Sequence, residues 1–169
     1  MLNTISNTVT LTAIAGAIWV FMDPLQATAE SHNAATIDED QFYCMQQNIF
    51  FEARNQDLKG QEAVAWVTLN RVEARYFPDT ICEVVWQNKA FSWTHDGKPD
   101  VPSNNVIEQR AWAQAAEVAE KVLDQWAAGM VDPTGGADHY HAEYVEPFWA
   151  DATFTTGSIG SHIFYRLYW

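Results

Sequence analysis

Basic residues are scarce in this chain of 169 residues: nine Lys and Arg stand against 22 Asp and Glu, for a formal net charge of −13. Such a surface repels phosphate backbones and anionic headgroups, which argues against nucleic-acid binding and against electrostatic binding to a membrane surface. The charge itself reads as solubility and names no substrate. Cysteine is scarcer still, with only Cys44 and Cys82. In an exported protein that pair is expected to form one disulfide; in a cytosolic one it would be two buried thiols. No internal repeat and no low-complexity tract is present. Apolar and aromatic residues are not lacking: 48% of the chain is hydrophobic, with eight Trp, nine Phe and six Tyr. That is ample for one packed domain and excludes bulk disorder.

Whether the chain leaves the cytoplasm turns on its first residues. The apolar run from Val9 to Met22 is short for a spanning helix but suits the core of a signal peptide. Pro24 follows, and Ala27-Thr28-Ala29 supplies a small-x-small cleavage pattern. No Lys or Arg occurs before Arg54, so the basic leader of a signal peptide is missing. An uncleaved anchor, tethering the protein to a membrane through residues 9–22, therefore stays open, as does a buried core helix. The division expected is a signal peptide or anchor over 1–29, a linker over 30–37 and the functional domain over 38–169. Export makes the Cys44–Cys82 disulfide expected, and closing that loop would stabilise the fold by roughly 3–4 kcal/mol.

Periodicity predicts an α+β domain, mainly helical, with a small sheet late in the chain. Thr36-Ile37-Asp38-Glu39 fits a capping box, opening a helix that runs to about Asn55. Phe42, Met45, Ile49 and Ala53 share one stripe of it. A second helix, from about Gly60 to Arg75, is apolar on most sides and should be central. Phe77-Pro78-Asp79-Thr80 is a turn with Asp79 as the expected N-cap of a short helix through Ile81 to Trp86. The stretch from His95 to Asn105 reads as a long loop. Asn104 or Asn105 starts a third long helix with Ile107, Ala111, Ala115, Val118, Val122 and Trp126 on its apolar stripe, ended by Gly129. His139 to Val145 alternates as a strand would. Phe154 to Trp169 reads as a hairpin with Gly157 and Gly160 at or near its bend.

Glu52 sits on the edge of the first helix's apolar stripe. A carboxyl beside apolar groups pays desolvation when charged, so its pKa rises, and a raised pKa keeps the proton a general acid must deliver. The alternative is an ion pair at a helix end with Arg54 or Lys59. Asp57, Glu62, Asp96 and Asp138 are candidates for the second carboxylate of a two-carboxylate glycosidase, but spacing singles out none of them.

A series of motifs bears on that choice. Glu52-Ala53-Arg54 is followed by Gly60-Gln61-Glu62-Ala63-Val64-Ala65 and Leu69-Asn70-Arg71-Val72. Phe77-Pro78-Asp79-Thr80-Ile81, Ala90-Phe91-Ser92, Asp132-Pro133-Thr134-Gly135-Gly136-Ala137 and Ile159-Gly160-Ser161-His162-Ile163-Phe164 come after, in that order. The series resembles the SleB-like family of spore-cortex-lytic cell-wall hydrolases over about Gln41 to Tyr165. The resemblance implies a lysozyme-like fold, similar to lytic transglycosylases, and cleavage of peptidoglycan glycan strands between N-acetylmuramic acid and N-acetylglucosamine. It maps the family's catalytic glutamate onto Glu52. One acid/base residue suffices for a transglycosylase, which fits the lack of an evident second carboxylate; lysozyme-type hydrolysis stays open if one proves close. A phage endolysin or a bacterial wall-remodelling enzyme would suit such a chain equally.

The histidines offer a rival. In a strand His139, His141 and Glu143 would share a face, and with His162 they could bind zinc, as in an amidase cutting the sugar–peptide bond. No H-E-x-x-H supports this. The resemblance departs here, since many members carry consecutive tyrosines and an Asn where this chain reads Asp138-His139-Tyr140-His141. Expected substrate contacts are Gln61, Phe91, Ser92, Tyr140 and His141; Trp93 and Trp149 could also stack on sugar rings, against the commoner role of aromatics in a core. No G-x-S-x-G elbow surrounds Ser92. Gln61 and Asn70 could instead make helix-packing hydrogen bonds. No cofactor is expected on the glycosidase reading, the protein is expected outside the cytoplasm as a monomer, and a secreted glycan-binding module remains the non-enzymatic alternative.

Overall fold

The computed structural model describes residues 38–167; the expected signal segment and linker, and Thr36 and Ile37 of the capping box, lie outside the described residues. Four α-helices come first: α1 (Glu39–Ala53), α2 (Leu58–Glu73), α3 (Ile81–Val85) and α4 (Val106–Ala127). Three strands close the chain: β1 (His139–Ala142), β2 (Thr153–Ile159) and β3 (His162–Leu167). They form one antiparallel sheet in the order β1-β3-β2.

Asp38 is the N-cap of α1, its carboxylate accepting from Gln41 N at 2.9 Å. Met45, Ile49 and Ala53 are fully buried, as the stripe requires. α2 starts two residues earlier than Gly60, because Asp57 caps it by accepting from Gly60 N at 2.8 Å. It packs against α1, α3, α4 and β2, and most of its residues are buried. The cap of α3 is Thr80 and not Asp79: the Thr80 hydroxyl accepts from Glu83 N at 3.2 Å. Asn105 caps α4 by accepting from Ile107 N and Glu108 N, and Gly129 ends it at φ 66°. Ala115, Val118 and Val122 are buried, but Ile107 is 77% exposed, so the stripe engages only beyond the first turn of α4.

Cys44 on α1 and Cys82 on α3 form a disulfide across 38 residues of sequence. The core fills the space among α1, α2, α3 and α4, with Phe50, Leu69, Val85 and Val122 at its centre. A smaller cluster of Ala63, Val67, Ala137 and Phe164 joins α2 to the sheet.

The β1 strand ends at Ala142, short of Val145, and the β2–β3 hairpin turns at Gly160, whose φ is 58°. Gly157 is not at the bend; it lies within β2 beside a register shift after Thr155. A Cβ on Gly60 would stand 2.9 Å from Gln56 Cβ, so only glycine lets the α1–α2 loop fold back this tightly. The Gln56 side-chain oxygen accepts from Ser161 Oγ at 3.0 Å, tying that loop to the hairpin turn.

Candidate active site

Glu52 stands one turn-position from the end of α1 and is partly buried. Its neighbours on α1 fix the helix face. Phe51 stacks on Trp93, centroids 4.6 Å apart, and buried Asn48 donates to Thr68 Oγ1 while accepting from Trp93 Nε1. Arg54 does not pair with Glu52; its guanidinium lies over the Phe50 ring at 4.9 Å. The carboxyl instead accepts a hydrogen bond at 3.0 Å from the hydroxyl of Tyr140, on β1. Burial pushes the Glu52 pKa above its ordinary value, while the Tyr140 bond and the charge of Arg71 pull it back. Tyr140 is held neutral, its pKa well above the usual range through burial and the adjacent Glu52 charge.

The sheet position of Tyr140 is set from α2. Arg71, 6% exposed, donates from Nε to the Asp138 carbonyl at 2.7 Å. Its guanidinium lies over the rings of Phe91 and Phe77, 5.0 and 5.4 Å from their centroids. Asn70 donates to Asp132 Oδ2, Thr134 Oγ1 and the Ala137 carbonyl. Asp132 in turn accepts from Thr134 N and Gly136 N, and Gly135 and Gly136 take φ of 67° and 79°. The Asp-Pro-Thr-Gly-Gly-Ala motif is thus a clamp that delivers β1, and with it Tyr140, to Glu52.

Several expected site residues have other places. Gln61 is 1% exposed and donates to the Gln56 carbonyl at 3.0 Å, which secures the loop after Glu52. Phe91 is 4% exposed and forms the floor under Arg71. Ser92 is exposed at the start of a 3₁₀ turn (Ser92–His95). The other carboxylates have structural partners. Asp57 caps α2, Glu62 meets Lys121 Nζ at 2.6 Å, Asp96 meets Lys98 Nζ at 3.1 Å, and Asp138 accepts from Leu167 N at 3.1 Å.

The zinc reading meets the register of the sheet. Antiparallel partners share a face, and β1 pairs Tyr140 with Phe164 and Ala142 with His162. His162 therefore stands with Tyr140 on the helix-facing side, its ring 5.1 Å from the tyrosine's. His139 and His141 are on the other side, against Trp149. His141 is spoken for: Nδ1 donates to the Ala142 carbonyl and Nε2 accepts from the Tyr165 hydroxyl, each at 2.9 Å, over a stacked Tyr165 ring. Among the described residues no group of three His, Cys, Asp or Glu side chains could hold a metal ion.

A cleft of about 430 Å³ opens beside Tyr140, walled by Phe77, His139 and Trp149 and rimmed by Gln87, Asn88, Lys89 and Ala90, with Arg71 in its base. A second, of about 450 Å³, lies by Phe51, Arg54 and Trp93. Arg71 and Lys89 were not among the residues expected at the site; the signals for Arg71 were its place in the Leu69-Asn70-Arg71-Val72 motif and a cation set within a helix that is apolar on most sides.

The fold is shared with two solved catalytic domains. The catalytic domain of the Bacillus cereus SleB protein superposes with a TM-score of 0.61 at 28% identity, covering 76% of this chain and 91% of that one. The catalytic domain of the germination-specific lytic transglycosylase SleB from Bacillus anthracis gives 0.54 at 28%, covering 76% and 96%. These bear out the expected lysozyme-like, mainly helical architecture with a small sheet. In sequence, the spore cortex-lytic enzyme of Oceanobacillus iheyensis is 31% identical over 117 residues, 69% of this chain and 38% of that protein. The corresponding enzyme of Bacillus cereus is 32% identical over 117 residues, 69% of this chain and 40% of that protein. The chain thus spans well under half the length of these relatives. The family described as Cell Wall Hydrolase matches over residues 55–165 and begins just after Glu52. By that match this chain belongs to the cell wall hydrolase family.

Proposed function

We propose that this protein is a lytic transglycosylase acting on peptidoglycan glycan strands, with Glu52 as its single acid and base. The observation that carries the reading is the Glu52 carboxyl, desolvated at the end of α1 and bonded to Tyr140. Protonated Glu52 gives its proton to the glycosidic oxygen as the bond from C1 of the muramyl sugar breaks. The carboxylate so formed takes the proton of that sugar's C6 hydroxyl as the oxygen attacks C1. A 1,6-anhydro ring closes, and no water is consumed.

One group must lose and regain a proton, so its two forms must lie close in energy. Burial favours the acid, while the Tyr140 hydroxyl and the Arg71 charge favour the carboxylate. The engagement of Asp57, Glu62, Asp96 and Asp138 elsewhere supports a one-carboxylate reaction over lysozyme-type hydrolysis. The similar proteins point the same way: one of the two solved catalytic domains is that of a germination-specific lytic transglycosylase. The Cys44–Cys82 disulfide supports work outside the cytoplasm. No helix among the described residues is long and apolar enough to cross a membrane; tethering through residues 9–22 is not part of this reading.

Digestion of purified peptidoglycan tests it. Anhydromuramyl products are expected from the unaltered protein, and a folded Glu52→Gln variant should release none. Free stem peptides as the main product, or undiminished lysis by the variant, would overturn it.

A further inference from the structure

The cleft beside Tyr140 has a chemistry that the transglycosylase step does not use. In a chain with a net charge of −13, its lining residues are Arg71, Phe77, Gln87, Asn88, Lys89, Ala90, His139, Tyr140 and Trp149, without one carboxylate. Arg71 is 6% exposed, and its Nη1 is buried with no hydrogen-bond partner. A buried, charged donor left unpaired is costly, and such a group in a native structure calls for a partner: an ordered water, an ion or a ligand.

Lys89 gives a second, independent sign. Its φ is 64°, the only positive value at a non-glycine among the described residues. Glycine would sit there without strain; a lysine does so at a cost and is held in place by its surroundings. Its N–H donates to His95 Nε2 at 2.9 Å, and Ala90 N donates to the Gln87 carbonyl at 2.9 Å, closing the turn that sets Lys89 on the rim. The two carboxylates whose charge reaches Arg71 are engaged elsewhere: Asp138 accepts from Leu167 N and meets His139 Nδ1, and Glu52 accepts from the Tyr140 hydroxyl.

We propose that this cleft is a carboxylate subsite, which takes the acidic group borne by the muramyl sugar at the scissile bond. That group is either the free lactyl carboxylate of a peptide-stripped strand or a carboxylate of an attached stem peptide. The proposal rests on the glycan-cleaving reading of Glu52 and adds a determinant of which strand is bound. A cation in the base and another on the rim grip the acid between them, and Trp149 and Phe77 wall the sugar that carries it.

Calorimetric binding to the full-length Glu52→Gln protein, which holds glycan without turning it over, tests this. The probes are muramyl oligosaccharides with a free lactyl carboxylate, the same oligosaccharides as lactyl methylamides, and strands with intact stem peptides. The free acid should bind about tenfold more tightly than the methylamide at low salt, and the difference should shrink at high salt. Adding Lys89→Gly, which relieves the backbone and so keeps the fold, should bring the two within about twofold. Tight binding of peptide-bearing strands, lost in the same variant, would assign the group to the peptide; weak binding of them would assign it to the lactyl acid. Equal binding of acid and methylamide, or a preference that survives Lys89→Gly, overturns the subsite. Failure of every glycan to bind overturns the glycan-cleaving reading itself.

Discussion

The Tyr140 hydroxyl donates to Glu52 Oε2 at 3.0 Å, joining residues 88 positions apart in the chain. One comes from the end of a helix and the other from the first strand of the sheet. Between them, the Asn70 clamp and the buried Arg71 anchor the chain that leads into β1 and so hold Tyr140 against Glu52.

Removing the hydroxyl should therefore act on chemistry more than on binding. Tyr140→Phe leaves the ring and takes away a bond that both orients Glu52 and lowers its pKa. We expect kcat to fall by about 10–100-fold with KM changed little, the loss of one positioning contact in a reacting pair. The alkaline limb of the pH–rate profile should move up, since a force that favours the carboxylate is gone. A profile that moves down would contradict the assignment.

Glu52 should also cost the fold something at neutral pH. Its folded pKa lies above its ordinary 4.5, so the folded state binds the proton more tightly than the unfolded chain. Stability is then lost as pH rises from about 4.5 through the folded pKa. Glu52→Gln should be more stable than the unaltered protein near pH 7, and the two should converge below about pH 4 in thermal melts. His162 acts on the acid side. Burial holds its pKa below 6.5, so stability should decline as pH falls through that value.

The covalent tie between α1 and α3 closes a loop of 38 residues. Breaking it in a Cys44→Ser, Cys82→Ser double variant should lower stability by about 4 kcal/mol in the chain-entropy account. Glu52 is on α1, so activity at 25 °C should survive while the melting temperature drops by roughly 10 °C.

Asn70 tests the clamp. Asn70→Ala removes the donor shared by Asp132 Oδ2, Thr134 Oγ1 and the Ala137 carbonyl; Asp132 and Thr134 keep Gly136 N and Ala137 N as donors, so the loss falls mainly on the Ala137 carbonyl and should destabilise by about 1–3 kcal/mol. It should also lower kcat, because β1 loses its anchor; the variant's residual activity should show the same products.

The helices were readable because burial repeats every 3.6 residues, and Met45, Ile49 and Ala53 declare α1 without help from the rest of the chain. Glu52 at the edge of that stripe was readable for the same reason. Its partner was not. Tyr140 is found by a strand whose position depends on Asn70 and Arg71, and such long-range pairs leave no periodic trace. The histidines show the limit most plainly. Alternation rightly put His139 and His141 on one face, but the face of His162 depends on how β3 registers with β1. Register is set by the whole sheet, and it sent His162 to the opposite side. Gln61 and Phe91 lie buried, one bonded to the Gln56 carbonyl and the other under Arg71, and a sequence pattern does not say whether a side chain meets substrate or holds the residue that does.

The central claim is that Glu52 moves one proton out and back while the sugar's own hydroxyl closes the ring. Digestion in heavy-oxygen water tests it most directly. The account predicts anhydromuramyl ends that carry no label, and their loss in Glu52→Gln. Labelled, reducing muramyl ends as the primary product would show that water attacks, and would contradict it.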